Sequence, residues 1–103
     1  MALDYHVGEP SRREPEAVSI EEDVHLRLVD LATSHEAPSL RRPLYFYEDA
    51  VFTPAQIPAL LADVDRLLNF AAGDAALLEF LRGLRLLVAD ALGRGRGVVA
   101  WAD

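Results

Sequence analysis

The sequence contains no cysteine and no long hydrophobic run. Without cysteine the chain has no disulfide, thiolate zinc site, iron–sulfur cluster or cysteine nucleophile. No apolar stretch approaches the roughly 20 residues that a membrane-spanning helix needs, and the first residues lack the basic start and apolar run of a signal peptide. We therefore expect a cytoplasmic protein that does not enter a membrane.

Lysine is also absent, so that arginine supplies all 10 basic side chains against 17 acidic ones, for a net charge of −7. This balance disfavours nucleic acid and acidic membrane surfaces as partners, because both attract clustered positive charge. Residues 1–50 hold 11 acidic side chains against 5 arginines, whereas residues 51–103 hold 6 against 5. The N-terminal half therefore dominates the electric field, which suits the steering of a basic partner.

The first part of the chain is predicted to form strand, loop, strand and helix. Residues 3–7 alternate apolar and polar side chains, the period of a half-buried strand. Residues 8–15 contain glycine, proline and charges and are predicted to be a flexible loop. A short strand is predicted at 16–18. Ser19 followed by Glu22 fits a capping box and predicts a helix over residues 20–35.

The second part is predicted to form a strand, two helices and a final strand. Residues 44–47 are a short aromatic run, which is typical of a strand. A capping box of Thr53 and Gln56 begins a helix with a clean apolar stripe, and Asp74 caps a third helix with a wide apolar face that ends near Gly93. The apolar run at 98–101 indicates a buried strand.

These elements predict one α+β domain spanning residues 1–103. We expect a small sheet of three or four strands packed on two or three helices, with an antiparallel helix pair at 54–92. At 103 residues, of which 51% are hydrophobic, the chain is long enough to form one hydrophobic core without a covalent staple.

No motif in the sequence indicates catalysis, a metal or a cofactor, and we expect none of the three. His6, His25 and His35 are scattered and are predicted to be solvated or hydrogen-bonded, because helical metal ligands usually stand three or four residues apart. Asp4 and Asp103 would cluster only if the first and last strands pair. The segment in which Gly93, Gly95 and Gly97 alternate with two arginines is predicted to cap the third helix, whose dipole the arginines complement, rather than to bind an anion.

Two groups of residues are candidates for binding a protein partner. The first is acidic and occupies the predicted start of the first helix and its continuation, at Glu21, Glu22, Asp23 and Asp30. The second combines aromatic and acidic side chains, at Tyr45, Tyr47, Glu48 and Asp49. Tyr5 is a candidate to extend the aromatic surface.

The order of parts resembles small bacterial and phage α+β proteins, some of which accompany toxin systems as immunity proteins. The opening Leu3, Asp4, Tyr5 strand, the capped helix, the helix from Thr53 to Phe70 and the final helix and strand carry this resemblance. The closing helix and strand are also similar to those of barstar-type inhibitors, although the preceding elements follow a different order. The resemblance implies an acidic inhibitor of a basic toxin.

We therefore expect an acidic protein-binding module, with an immunity or inhibitor protein for a basic toxin as its specific form. A first alternative is a homo-oligomerising structural module that pairs through the third helix and the aromatic strand. A second alternative is a small-ligand-binding protein or enzyme.

Overall fold

The computed structural model of the chain describes residues 3–8, 17–42 and 48–102. Its strands are β1 (Leu3–Val7), β2 (Val18–Ile20), β3 (Ala50–Phe52) and β4 (Val98–Ala102). Its α-helices are α1 (Glu22–Ser34), α2 (Ile57–Leu68) and α3 (Ala75–Arg94). The predicted α+β class is confirmed, since the described residues form a sheet of four strands and three α-helices.

The four strands form one antiparallel sheet in the order β2, β1, β4, β3. β1 and β4 are the central pair, in which Leu3 faces Ala102 and Val7 faces Val98. The strands predicted at the two ends of the sequence are therefore neighbours in space. Among the described residues, no helix is long and apolar enough to cross a bilayer.

The hydrophobic core lies between one face of the sheet and α3. Tyr5 of β1 packs its ring against Phe80 of α3, with 5.5 Å between the ring centroids. α2 packs along α3, and the Arg85 Nε atom lies 2.6 Å from Asp65 Oδ1 across that contact. The wide apolar face predicted for the third helix is therefore largely used inside the domain, through Leu77, Phe80, Leu81, Leu84, Val88 and Ala91.

Two of the predicted helix starts are confirmed. The Gln56 side-chain oxygen accepts a hydrogen bond from the Thr53 backbone N–H at 2.9 Å, as a capping box requires. The chain first makes a 3₁₀ turn and becomes α-helical at Ile57. Asp74 caps α3, because its Oδ1 atom accepts from the Leu77 N–H at 3.2 Å.

The predicted capping box of Ser19 and Glu22 is wrong. Ser19 lies within β2, and its hydroxyl donates to Asp4 Oδ1 at 2.6 Å, across the strand pair that joins β2 to β1. Glu21 occupies the N-cap position without a side-chain cap, and α1 begins at Glu22. Strand pairing therefore extends further along the chain than predicted. Of the strand predicted at 16–18, Val18 lies in β2, Ala17 precedes it, and Glu16 lies outside the described residues.

β3 was not predicted from the sequence. Its three residues pair with β4, with Ala50 facing Ala100 and Phe52 facing Val98. The strand predicted at 44–47 and nearly all of the loop predicted at 8–15 lie outside the described residues.

Glycine residues allow the tight passage from α3 into β4. Gly95 adopts a left-handed conformation with φ of 66°, and the Arg96 N–H donates to the Ala91 carbonyl at 2.9 Å, as in a Schellman motif. Gly97 lies so close to β3 that an added Cβ would stand 2.4 Å from the Phe52 carbonyl oxygen. The capping role predicted for this segment is confirmed.

Candidate protein-interaction surface

Strand register brings acidic residues from distant parts of the sequence to one end of the sheet. β2 ends at Ile20 and β4 ends at Ala102, and both residues face Leu3. β3 begins at Ala50 and runs antiparallel to β4, so the residues just before it lie at this same end. We call Glu21, Glu22, Glu48 and Asp49 the acidic end. All four side chains are exposed, and the two pairs are separated by three strand spacings, or about 14 Å.

Two carboxylates near this end have structural partners. Asp49 Oδ1 accepts a hydrogen bond from the Ala102 N–H at 2.7 Å, which ties the start of β3 to the end of β4. Asp4 accepts from Ser19, as described above. β1 and β4 do pair, but Asp103 lies outside the described residues, so the predicted clustering of Asp4 with Asp103 stays a prediction.

The solvent-facing side of α1 carries a stripe of acidic residues around an exposed leucine. Glu22, Leu26 and Asp30 are spaced four residues apart, which places them nearly in line along the helix. The Leu26 side chain is 57% exposed, and both acidic residues are exposed as well. We call these three residues the α1 stripe, and its Glu22 end is continuous with the acidic end.

Arg27, the one arginine of α1, turns its charge toward another helix. Its Nε lies 2.6 Å from Asp74 Oδ2 and its Nη2 lies 3.3 Å from Asp74 Oδ1, while Nη1 lies 3.5 Å from Asp23. The hydrogen bond from Arg27 holds the pKa of Asp74 below its ordinary value, and the same bond raises the pKa of Arg27. The guanidinium of Arg27 is thereby paired with the carboxylates of Asp74 and Asp23.

A groove of about 510 Å³ runs between β2 and α3, beside the acidic end. Val18 and Val24 supply apolar walls, and Phe80 and Gly83 of α3 contribute apolar surface opposite β2. Among the described residues, the charged side chains that line it are Glu21 and Glu79, both acidic. We call this cavity the β2–α3 groove.

A second, smaller cavity of about 340 Å³ lies between the C-terminal half of α1 and the connection from α2 to α3. His35 and the half-exposed Phe70 stack there, with 3.7 Å between ring centroids and 10° between ring planes. Asp30 lines this cavity, so it stands away from the acidic end, although the α1 stripe connects the two.

The three histidines lie in different environments. His6 and His25 are completely buried, so the alternative of solvation is wrong for both. His6 Nδ1 lies 3.3 Å from the Val7 carbonyl oxygen, and its ring stacks on Trp101 at 6.0 Å. Within residues 3–8, 17–42 and 48–102, no group of three or more His, Asp or Glu side chains is arranged to hold a metal ion.

The aromatic part of the predicted surface is only partly testable. Tyr45 and Tyr47 lie outside the described residues. Tyr5 is completely buried against Phe80, so the prediction that it joins an exposed surface is wrong. Burial raises the pKa of its phenol well above the ordinary value, because the charged form would lose its hydration.

Sequence analysis missed the β2–α3 groove. One signal for it was present: Gly83 stands in the middle of a helix, where glycine is unfavourable relative to alanine. An added Cβ at Gly83 would meet Val18 Cγ1 at 3.3 Å, so the missing side chain allows α3 to approach the edge strand closely. A glycine inside a helix indicates a close approach but does not identify the neighbour.

No protein-family model matches this chain, and no curated protein sequence or solved structure matches it either. The resemblance to immunity proteins therefore rests on the order of elements alone. Any functional conclusion has to come from the geometry described above.

Proposed function

We propose that this chain is an acidic protein-binding module that recognises a basic partner protein through the α1 stripe and the adjoining acidic end. The observation that carries the proposal is the α1 stripe itself. Leu26 is 57% exposed on a helix whose other apolar side chains mostly face the core, and acidic residues flank it on both sides. Such an arrangement supplies both an apolar anchor and a charged surround for a protein contact.

The two components of this surface have different physical roles. The carboxylates of Glu21, Glu22, Glu48 and Asp30 create a negative field that accelerates encounter with a positively charged surface. Leu26 supplies apolar area that leaves water once the partner has docked, and it therefore slows dissociation. Arg27 is paired with Asp74 and Asp23, so its charge is partly balanced by carboxylates other than those of the stripe.

The most specific form of the proposal is an immunity or inhibitor protein whose partner is a basic toxin. An acidic surface on a small domain suits rapid neutralisation of such a target, since electrostatic steering acts mainly on the association rate. Inhibition would then follow from covering the toxin's basic surface, with no covalent chemistry required.

The first test is a comparison of four variants as affinity baits in an extract of the source organism. Leu26→Ala removes the apolar anchor, and Leu86→Ala is its matched control, because Leu86 is also exposed and lies on α3. Glu22→Arg reverses a charge of the stripe, and Glu36→Arg makes the same change at an exposed residue beyond the helix end. We expect a stoichiometric basic protein that is lost from the Leu26→Ala and Glu22→Arg baits and kept by both controls.

The salt dependence adds a second readout to this test. Retention by the wild-type bait should fall as the salt concentration rises from about 50 to about 300 mM, because the Debye length shortens over that range. The proposal is wrong if no stoichiometric partner is retained, or if a partner binds all five baits equally.

The homo-oligomer alternative gains no specific support from the exposed residues of α3. Its exposed leucines, Leu86 and Leu92, are six residues apart and therefore point to different sides of the helix. The residues predicted to form a wide pairing face are mostly packed against the sheet and α2. We therefore keep the hetero-partner as the proposed function.

A further inference from the structure

The two edges of the described sheet differ in whether a charged side chain covers their backbone groups. At β3, the Arg42 guanidinium donates to the Val51 carbonyl at 3.1 Å and lies 5.0 Å from the centre of the Phe52 ring. Arginine or lysine on an edge strand is a common device against pairing with another chain. Among the described strands, β2 is the edge on the other side, and the β2–α3 groove runs along it.

The shape of the groove suits an extended peptide segment. A strand directs its backbone N–H and C=O groups to both sides, so one row of groups on β2 faces away from β1. A peptide that pairs with this row would direct every second side chain toward α3. Those side chains would contact Ala76, Phe80 and Gly83, which form an apolar surface. Because alanine and glycine are small, they leave room for the side chains of the peptide.

The charge of the groove indicates which peptides fit. Within the part of the chain that the structure describes, Glu21 and Glu79 are the charged lining residues, and Glu22 is exposed immediately beyond Glu21. A basic segment therefore meets opposite charges along the groove, whereas an acidic segment is repelled. A second copy of this chain carries the same net charge of −7, which disfavours it as the occupant.

We propose that the β2–α3 groove binds an extended, basic peptide segment of a partner protein as an added strand beside β2. Strand addition to an exposed sheet edge is a recurring mode of peptide recognition, in which backbone hydrogen bonds give affinity and pockets for alternate side chains give specificity. The inference rests on the proposed function, because it names how part of the basic partner is held. The apolar side chains of the segment face α3, and its lysines or arginines face the carboxylates.

The test uses a displayed library of random linear peptides about twelve residues long, selected on the immobilised protein. Enriched peptides are synthesised with a fluorophore, and their Kd values are measured by anisotropy. We expect sequences that alternate apolar residues with lysine or arginine. We also expect the backbone amides of residues 17–21 to exchange with deuterium more slowly in the complex.

Matched variants tie binding to the groove. Ala76→Trp fills it from an exposed position at the start of α3, and Ala62→Trp makes the same change at an exposed position of α2 outside the groove. Ala76→Trp should weaken peptide binding about tenfold, and Ala62→Trp should leave it within about twofold of wild type. Glu79→Arg should weaken binding about fivefold relative to its control, Glu36→Arg.

The outcomes separate this inference from the proposed function. The inference is overturned if the library yields no enriched peptide, if Ala76→Trp and Ala62→Trp bind peptides equally, or if concentration-dependent dimerisation protects the same amides. The proposed function survives any of these results, provided that Leu26→Ala still loses the whole partner. If instead peptides bind the groove but Leu26→Ala and Glu22→Arg retain the whole partner, the α1 stripe is not the binding surface. The inference about the groove is then still supported.

Discussion

Tyr5 is a polar residue in an apolar environment. Its hydroxyl is buried, and it has no hydrogen-bond partner among the described residues. A buried hydroxyl without a partner costs free energy, because it gives up its bonds to water. The ring itself packs on Phe80 and contributes to the core.

We expect Tyr5→Phe to raise the free energy of unfolding by about 1 kcal/mol, since it removes the hydroxyl and keeps the ring. The variant should also lose less stability in alkali. The pKa of Tyr5 is raised in the folded state, so wild-type stability is unaffected by this group below the ordinary value of 10.0. It falls as pH rises above that value, because the unfolded chain ionises first, whereas phenylalanine does not titrate. Urea unfolding at pH 7 and at pH 10.5 measures both effects, and a less stable variant at pH 7 would mean that the hydroxyl is satisfied.

The alternation of apolar and polar side chains in the first strand predicts the strand but not its burial. The pattern of Leu3, Tyr5 and Val7 against Asp4 and His6 correctly identified a strand. It predicted a half-buried one, yet His6 and its cross-strand neighbour Val99 are both buried, on the face opposite to α3. Alternation reports the polarity of side chains and does not report whether the polar face is covered.

At the scale of elements, the passage from α3 to β4 depends on one close contact. An added Cβ at Gly97 would overlap the Phe52 carbonyl oxygen, which is backbone and has little freedom to move. By contrast, a Cβ at Gly93, inside α3, meets nothing within 4 Å. These two glycines form a matched pair for the same substitution.

We expect Gly97→Ala to lower the free energy of unfolding by about 2 kcal/mol or more, because β3 must shift to relieve the overlap. Gly93→Ala should raise it by about 0.5 kcal/mol, through better helix propensity. Denaturant titrations of the two variants against wild type provide the measurement. Equal effects of the two substitutions would show that β3 does not restrain Gly97.

Capping residues and hydrophobic periodicity predicted an element correctly where the tertiary structure leaves those residues in their local roles. Thr53 and Gln56 form their predicted box, in which the Gln56 side chain accepts from the Thr53 N–H. Ser19 and Glu22 have the same spacing, but the Ser19 hydroxyl donates its hydrogen bond to Asp4 of the neighbouring strand instead. β3 was missed because three residues carry almost no periodicity and their pairing with β4 is set by residues about 50 positions away.

At the scale of the whole molecule, the acidic residues of the candidate surface could be predicted from the sequence, but their arrangement in space could not. The acidic residues at 21–23 and 48–49 stood out as charges in the sequence. The placement of Glu21, Glu22, Glu48 and Asp49 at one end of the sheet follows from the strand order β2, β1, β4, β3, which hydrophobic periodicity does not contain. The β2–α3 groove likewise depends on which helix lies beside the edge strand.

The contact between Arg27 and Asp74 spans 47 positions of sequence and joins α1 to the start of α3. Asp74 also caps α3, so it has two separable roles. Asparagine is as good an N-cap as aspartate but carries no charge. Asp74→Asn therefore tests the link between the helices, whereas Asp74→Ala removes the link and the cap together.

We expect Tm at pH 7 to fall in the order wild type, Asp74→Asn, Asp74→Ala. The pKa of Asp74 is lowered in the folded state, so its contribution is complete above the ordinary value of 3.8 and is lost as pH falls below it. The gap in Tm between wild type and Asp74→Asn should therefore close in acid, while the gap between Asp74→Asn and Asp74→Ala persists, because the cap made by asparagine does not titrate. Thermal melts at pH 7 and at about pH 2.5 check this, and a wild-type advantage over Asp74→Asn that stays constant with pH would contradict the ionic link between α1 and α3.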